Sequence, residues 1–180
     1  QEVLKLLSST SAKIAQGEIL QLEHKGEVDM LEDTYIQIIN SKTASLFAAA
    51  TKVGACITNK SKKEKDALLF YGKNLGLAFQ IADDALDYYS NESIFGKKIG
   101  KDFFEGKVTL PLIFVYQKAN TQERKTIEYF FKQKKRTPEE FNQIQALVNK
   151  YDVINSCFRN PEYSLNPIFS HISCNSFTVN

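Results

Sequence analysis

The sequence predicts an all-α protein, and three observations support this prediction. Glycine and proline are scarce, with 8 and 4 residues among 180. No stretch alternates apolar and polar residues in the way that a half-buried strand requires. Helix-start signals recur along the chain instead. We therefore expect one helical domain over residues 1–158, followed by an irregular tail over residues 159–180 that is rich in Pro, Ser and Asn.

Capping signals and apolar periodicity set the expected helix boundaries. Ser61 with Glu64 has the spacing of a capping box, and Thr34 with Gln37 is a weaker example. Thr137 is followed by a first-turn proline and two acids, and Pro111 also fits a first turn. The sequence predicts helices at residues 2–24, 34–57, 61–89, 109–119, 121–134 and 138–158, with a loop over residues 90–106.

Two glycines, Gly72 and Gly76, lie one turn apart within the predicted helix over residues 61–89. A glycine inside a helix lowers its stability, so a packing reason is expected for each position. We interpret the pair as a point of close approach to a neighbouring helix.

Composition narrows the classes of function. Apolar residues make up 43% and charged residues 24% of the chain, as in ordinary globular proteins. The net charge of +2 does not favour nucleic acid or an anionic membrane as a partner. No apolar run approaches the ~20 residues of a membrane span. We therefore expect no stable membrane insertion. Cys56, Cys157 and Cys174 form no CxxC pair, which predicts a reduced, cytoplasmic protein.

The stretch "GLAFQIADDALDYYSN" places Asp83, Asp84 and Asp87 within an apolar run. On a helix, Asp87 shares a face with each of the other two aspartates, so their charges repel. Burial increases the repulsion and adds a desolvation cost unless a cation is bound. A solvated acidic face is the common alternative, but the flanking residues are too apolar to favour it.

The types of neighbouring residue indicate which cation is expected. The register does not fit an EF-hand, and His24 and His171 lack the Glu spacing of a di-iron site. A zinc site would need His and Cys partners, so we expect both histidines to be structural or exposed. Mg²⁺ remains, since it takes one or two carboxylates and completes its shell with water and phosphate oxygens.

Basic residues follow the aspartates in the segment "GKKIGKDFFEGK". It contains Lys97, Lys98, Lys101 and Lys107, but it lacks the glycine spacing and the Ser or Thr of a P-loop. A solvated basic loop is the alternative for this segment alone. Acids and lysines together, within 25 residues of each other, indicate a site for a Mg²⁺–diphosphate complex.

The motifs "SKTASLF", "FQIADDALD" and "GKKIGKDFFEGKVTLPL", in this order, resemble those of the trans-polyprenyl diphosphate synthases. The similarity extends over residues 1–158 and is greatest to bacterial enzymes of the octaprenyl diphosphate synthase type, which make quinone side chains. The resemblance implies an antiparallel helix bundle of the isoprenoid-synthase type around a deep cavity. The last segment, "EGKVTLP", disfavours another all-α enzyme with acidic motifs, such as a terpene cyclase.

The resemblance also implies roles for individual residues. Asp83, Asp84 and Asp87 match the second aspartate motif, which holds Mg²⁺. The implied substrate-binding residues are Lys42, Thr43, Gln80, Lys97 and Lys107; the implied catalytic residues are Lys42, Thr43, Gln80 and Asp83. Asp102 matches a loop aspartate, and Gln16, Gly17 and Gln21 match a helix that lines the cavity.

The implied reaction is prenyl transfer. An allylic diphosphate ionises while Mg²⁺ and lysines stabilise the leaving diphosphate, and the double bond of isopentenyl diphosphate attacks the allylic cation. A proton is then lost. The implied partners are these two substrates together with a second subunit, either in a homodimer or in a hetero-oligomer with a full-length or complementary chain.

One family motif has no counterpart here. The first aspartate motif and the basic residues that bind isopentenyl diphosphate belong upstream, and "MLEDTYIQ" offers only Glu32 and Asp33. We therefore expect a bundle that lacks the N-terminal helices of the family and a chain that is inactive alone. The alternative is a non-catalytic, half-length partner subunit of a polyprenyl synthase.

Overall fold

A computed structural model describes residues 1–89 and 99–159 of the chain. Within these ranges the structure is helical and contains no strand, which confirms the all-α prediction. The helices are α1 (Glu2–Glu23), α2 (Glu32–Ile39), α3 (Ser45–Ile57), α4 (Lys62–Tyr89), α5 (Lys101–Glu105), α6 (Leu110–Lys118), α7 (Thr121–Lys132), α8 (Pro138–Lys150) and α9 (Val153–Arg159), and a π-helical segment (Asn40–Ala44) joins α2 to α3. None of the helices in these ranges is long and apolar enough to span a membrane.

Two of the predicted helix starts are confirmed by their hydrogen bonds. Before α4, the backbone N–H of Ser61 donates to Glu64 at 2.9 Å, and the Glu64 N–H donates to the Ser61 hydroxyl at 3.3 Å. Thr137 and Glu140 form the same reciprocal pair at the start of α8. Each pair satisfies two backbone donors that a helix otherwise leaves without partners.

The prediction of one helix over residues 34–57 is wrong in two respects. The helix begins at Glu32 after Leu31, so Thr34 is not its cap. The π-helical segment Asn40–Ala44 then interrupts it. This segment lies against α1, where a Cβ on Gly17 would be 2.7 Å from the backbone nitrogen of Lys42. The wide turn is thus associated with a tertiary contact rather than with a local sequence signal.

Two further boundaries differ from prediction. The predicted helix over residues 138–158 is broken between α8 and α9, where Asp152 takes the left-handed conformation with φ of 48°. The predicted loop over residues 90–106 contains helix α5 in its described part. Gly100 and Gly106 bound this helix with φ of 78° and 76°, values that favour glycine. The predicted tail, apart from Arg159 at the end of α9, lies outside the described residues.

Helices α3 and α4 pack closely, as the two glycines predict. A short connection joins them, so they run antiparallel. A Cβ on Gly76 would lie 2.6 Å from the Cα of Ala44, and a Cβ on Gly72 would lie 2.5 Å from the carbonyl oxygen of Phe47. The interpretation of these glycines as close-packing positions is confirmed. The contact fixes α4 against the π segment.

An aromatic cluster anchors the segment around α5. The ring centroid of Phe103 lies 5.6 Å from that of Phe131 and 5.7 Å from that of Phe141. Phe103 is fully buried. On the other side, the N–H of Gly26 after α1 donates to the carbonyl of Gly106 at 3.0 Å. These contacts hold the segment that carries Asp102 against α1, α7 and α8.

Replacement of Gly76 tests the packing of α3 on α4. We expect Gly76→Ala to lower the free energy of unfolding by about 1–3 kcal/mol, because the new methyl group meets the Ala44 backbone. The matched control is Gly54→Ala, since a Cβ on Gly54 would meet nothing within 4 Å. The control should raise stability by about 0.5–1 kcal/mol through helix propensity. Urea unfolding measures both, and equal effects of the two variants would contradict the packing account.

Candidate functional site

A cavity of about 250 Å³ lies at the end of α4, between α1, the π segment and α5. It contains acidic and basic side chains that are far apart in the sequence. The acids are Asp83, Asp84, Asp87 and Asp102, the bases are Lys42, Lys101 and Lys107, and Gln21, Gln80 and Thr109 complete the lining. The structure therefore brings the predicted aspartates and three of the predicted lysines, Lys42, Lys101 and Lys107, into one site.

Four side chains form a continuous hydrogen-bond chain at the wall of this cavity. The hydroxyl of Thr43 donates to Oε1 of Gln80 at 2.7 Å, and Nε2 of Gln80 donates to Oδ1 of Asp84 at 2.7 Å. The hydroxyl of Tyr35 donates to Oδ2 of the same carboxylate at 2.8 Å. The chain connects α2 and the π segment to α4.

Asp84 is the most deeply buried of the three aspartates of the motif, with 3% of its surface exposed. Burial raises the pKa of Asp84 to about 7, and the charge of Asp102 acts in the same direction. The hydrogen bonds from Gln80 and Tyr35 oppose this rise, because they stabilise the charged form. Without a bound cation, Asp84 thus exchanges its proton near neutral pH.

Asp87 holds the start of α5. Its carboxylate accepts the backbone N–H of Lys101 at 3.2 Å and that of Asp102 at 2.9 Å. The N–H of Gly100 donates to the backbone carbonyl of Asp87 at 2.9 Å. These three bonds fix the first turn of α5 to the end of α4. Asp83, by contrast, is partly exposed and lines the cavity.

Lys107 lies between two carboxylates. Its Nζ is 2.5 Å from Oε2 of Glu105 and 3.6 Å from Oδ1 of Asp102. Burial alone would lower the pKa of Lys107, but these two acids together raise it. Burial and the charge of Asp87 raise the pKa of Asp102, against the opposing effect of Lys107. Lys107 therefore balances part of the negative charge of the site.

Lys42 reaches the cavity from the π segment. Its Nζ donates to Oε1 of Gln21 at 2.8 Å and lies 3.1 Å from a carboxylate oxygen of Glu18. Of the three α1 residues that the resemblance singled out, Gln21 lines the cavity and Gly17 contacts the Lys42 backbone. Gln16 is exposed and does not line this cavity. Lys97 lies outside the described residues.

The donor atoms of the site suit a hard cation that shares its shell with a ligand. Across residues 1–89 and 99–159, no three acidic, His or Cys side chains form a complete metal-binding group. The cavity offers carboxylate, amide and hydroxyl oxygens, without thiolate or imidazole. Mg²⁺ is commonly bound by one or two carboxylates together with substrate phosphates. The residues present fit such a shared shell.

Sequence reasoning missed Tyr35. The residue is 2% exposed and lies on the same buried face as Ile38 and Ile39. The hydroxyl of a buried tyrosine usually finds a hydrogen-bond partner. That rule predicts a polar contact somewhere in the core, but it does not identify Asp84, which lies 49 residues away.

Comparison with known proteins identifies the family and the fold of this chain. The sequence profile of the family described as "Polyprenyl synthetase" matches residues 1–148. The chain belongs to the polyprenyl synthetase family. A solved structure of a Caulobacter crescentus CB15 polyprenyl synthase, complexed with calcium and isoprenyl diphosphate, is 37% identical with a TM-score of 0.83. That match covers 88% of this chain and 48% of the other, and it confirms the isoprenoid-synthase fold.

Two curated members of the polyprenyl synthetase family show how far the similarity extends. A short chain isoprenyl diphosphate synthase of Methanothermobacter thermautotrophicus is 39% identical over 127 residues, which cover 71% of this chain and 39% of that protein. The octaprenyl diphosphate synthase of Escherichia coli is 38% identical over 126 residues, which cover 70% and 39%. The chain thus spans about two fifths of the length of these relatives. Their names indicate different product lengths, so similarity alone does not assign a product.

The raised pKa of Asp84 predicts how stability depends on pH. The folded chain binds this proton more tightly than the unfolded chain, whose Asp has a pKa near 3.8. The resulting stabilisation is complete below that pH and is lost as the pH rises to about 7. We expect the free energy of unfolding, measured without divalent metal, to fall by up to about 4 kcal/mol over this range.

Asp84→Asn should remove most of that pH dependence in urea titrations. The matched control is Asp66→Asn, which makes the same change at an exposed position of the same helix. A wild-type stability that rises between pH 5 and 7, or a slope that Asp84→Asn leaves unchanged, would contradict the assignment.

Proposed function

We propose that this chain contributes to a Mg²⁺-dependent prenyltransferase site, in which an allylic diphosphate condenses with isopentenyl diphosphate to give a polyprenyl diphosphate. The observation that supports the proposal is the single cavity in which Asp83, Asp84 and Asp87 meet Lys42 and Lys107. Carboxylates for a hard cation and ammonium groups for phosphate oxygens are the two requirements for binding a metal–diphosphate complex.

We assign direct metal contact to Asp83. It is partly exposed in the cavity, whereas Asp84 is buried with each carboxylate oxygen in a hydrogen bond. Asp87 uses its carboxylate to hold α5. Each of these two carboxylates keeps further lone pairs beside its hydrogen bonds, so Asp84 and Asp87 stay in the proposal as metal-binding residues that also position neighbouring elements. When bound, Mg²⁺ would neutralise diphosphate oxygens and stabilise the leaving group. The calcium and isoprenyl diphosphate of the Caulobacter complex support a divalent cation beside a diphosphate.

The lysines are proposed to bind diphosphate oxygens. The side chains of Lys42 and Lys107 both line the cavity. Lys42 precedes the three aspartates in the sequence, and Lys107 follows them. Charge-assisted hydrogen bonds from such groups are stronger than neutral ones. Thr43 donates to Gln80, and this bond orients the amide towards Asp84. Lys97, outside the described residues, remains part of the proposal on the strength of the family motif.

We propose an apolar surface beside the charged cavity, formed by exposed side chains four residues from cavity-lining ones, that suits a hydrocarbon chain. Phe79 lies one helical turn before Asp83, and Leu46 lies one turn after Lys42. Phe79 is 56% and Leu46 52% exposed. The ring of Phe47 lies 5.3 Å from that of Phe79, between centroids. We propose that the prenyl chain of the allylic substrate lies along this surface while its diphosphate occupies the cavity.

Calorimetry with farnesyl diphosphate tests the metal site. We expect Asp83→Asn to weaken Mg²⁺-dependent binding at least tenfold, because it removes a carboxylate from the shared shell. Asp66→Asn is the control, with the same charge change on the same helix away from the cavity. Binding by the wild type that EDTA leaves unchanged would contradict a metal bridge.

Synthesis of polyprenyl diphosphate by the isolated chain tests whether these 180 residues suffice for catalysis. The DDxxD pattern occurs once in these 180 residues. Loss of a group that stabilises charge in the transition state raises the activation free energy by several kcal/mol. About 1.4 kcal/mol of activation free energy corresponds to a factor of ten in rate. We expect background yield from Mg²⁺, farnesyl diphosphate and labelled isopentenyl diphosphate. Long-chain product at a rate comparable with that of the Escherichia coli octaprenyl diphosphate synthase would contradict this expectation.

We also propose that the chain works in association with another subunit, either in a homodimer or in a hetero-oligomer. Helix α1 exposes Leu4 and Ile19 at 73% and 56%, and exposed apolar surfaces commonly mark interaction sites. A cytoplasmic location is part of the proposal, because Cys56 and Cys157 are not joined in a disulfide.

A further inference from the structure

A second cavity, of about 570 Å³, opens beside the first. It lies between the C-terminal end of α1, the turn after α5 and the connection from α7 to α8, and Gln21 and Lys107 line both cavities. Its other basic residues are Lys25, Lys134 and Arg136. No family motif that the sequence contains accounts for these three residues.

The guanidinium of Arg136 is held in a fixed position in the wall of this second cavity. It lies 4.6 Å from the ring centroid of Phe131 and 5.9 Å from that of Phe103. One Nη donates to the backbone carbonyl of Phe131 at 3.1 Å. A Cβ on Gly106 would come within 2.9 Å of both Nη atoms. The guanidinium is therefore packed between a glycine and an aromatic ring, in an orientation that is set before any ligand arrives.

Within the described residues, Glu105 and Glu140 balance the positive charge of the second cavity only in part. In the ranges that the structure describes, no carboxylate oxygen lies within 4 Å of Arg136, Lys25 or Lys134. Glu105 is the acid among the lining residues, and it pairs with Lys107 at 2.5 Å. The Nε of Arg136 is buried without a hydrogen-bond partner. A partly buried cation is costly unless an anion accompanies it.

We propose that the second cavity binds a phosphate-class oxyanion, with Arg136 as the anchoring group. A planar guanidinium presents N–H donors in a fork that matches phosphate oxygens, and a pre-oriented fork loses little freedom on binding. Lys25 and Lys134 add charge at the rim, and Phe104 and Leu22 give the cavity an apolar part. Free diphosphate and the head group of a phospholipid offer the same chemistry. The site needs no metal and does not depend on the proposed function.

Calorimetry with inorganic diphosphate in EDTA tests the site. We expect Arg136→Met to weaken binding about tenfold or more, because it removes charge-assisted hydrogen bonds while it keeps an apolar side chain against Phe131. The matched control is Arg124→Met. Arg124 also stacks on an aromatic ring, 5.3 Å from the centroid of Tyr116, and bonds to backbone carbonyls away from the cavity. The control should bind as the wild type does.

Further variants separate this site from the first cavity and from effects on folding. Lys134→Gln, at an exposed rim position, should weaken binding several-fold and serves if Arg136→Met does not fold. Lys134 lines the second cavity and not the first, so Lys134→Gln should leave Mg²⁺-dependent farnesyl diphosphate binding at the first cavity unchanged. Mg²⁺-dependent binding of farnesyl diphosphate reports on the first cavity, and metal-free binding of inorganic diphosphate reports on the second. Either proposal can therefore fail while the other holds.

A second arm distinguishes the two sources of the oxyanion. Flotation with vesicles of phosphatidylcholine, with and without phosphatidic acid, measures binding to a phosphate head group. Binding that depends on Arg136 in either arm supports the site and identifies its source. The proposal is overturned if neither probe binds, or if Arg136→Met and Lys134→Gln bind both probes as the wild type does.

Discussion

The structure around the site depends on the burial of one carboxylate, that of Asp84. A buried carboxylate is tolerated only where hydrogen bonds replace its water. Those bonds come from Tyr35 on α2 and from Gln80, which in turn accepts a bond from Thr43 in the π segment. The requirement to satisfy Asp84 thus fixes two other elements against α4. The same arrangement places Lys42, the neighbour of Thr43, at the cavity.

Asp87 imposes a second constraint of the same kind, on the segment that follows the motif. Its carboxylate replaces the missing partners of two N–H groups in the first turn of α5. The opposite side of this helix packs through Phe103 into an aromatic cluster. A polar and an apolar contact therefore hold the same five-residue helix, which would be too short to persist alone. Because Lys107 closely follows this helix, the two contacts also hold Lys107 between the two cavities.

Features encoded by neighbouring residues were predicted from the sequence, and features that depend on distant contacts were not. The helix start at Ser61 and the close approach at Gly76 follow from local spacing, and both are confirmed. The π segment and the break at Asp152 have no such signal. The acidic and basic groups of the site were predicted from motifs. Tyr35 and Arg136 were missed, because their significance arises from partners that only the fold brings near.

The three aspartates of the motif differ in what their carboxylates contact. Asp84 and Asp87 place negative charge at the cavity, but their oxygens are used in bonds that hold α2, the π segment and α5. Asp83 lines the cavity from a partly exposed position. A cation at the proposed site would relieve the mutual repulsion among these charges, so a ligand that carries one would stabilise the folded chain through mass action, by about 2.7 kcal/mol at a hundred times its Kd. The buried carboxylates, Asp84 and Asp87, also position the helices around the site, so binding of a cation there would order the elements that these two residues hold.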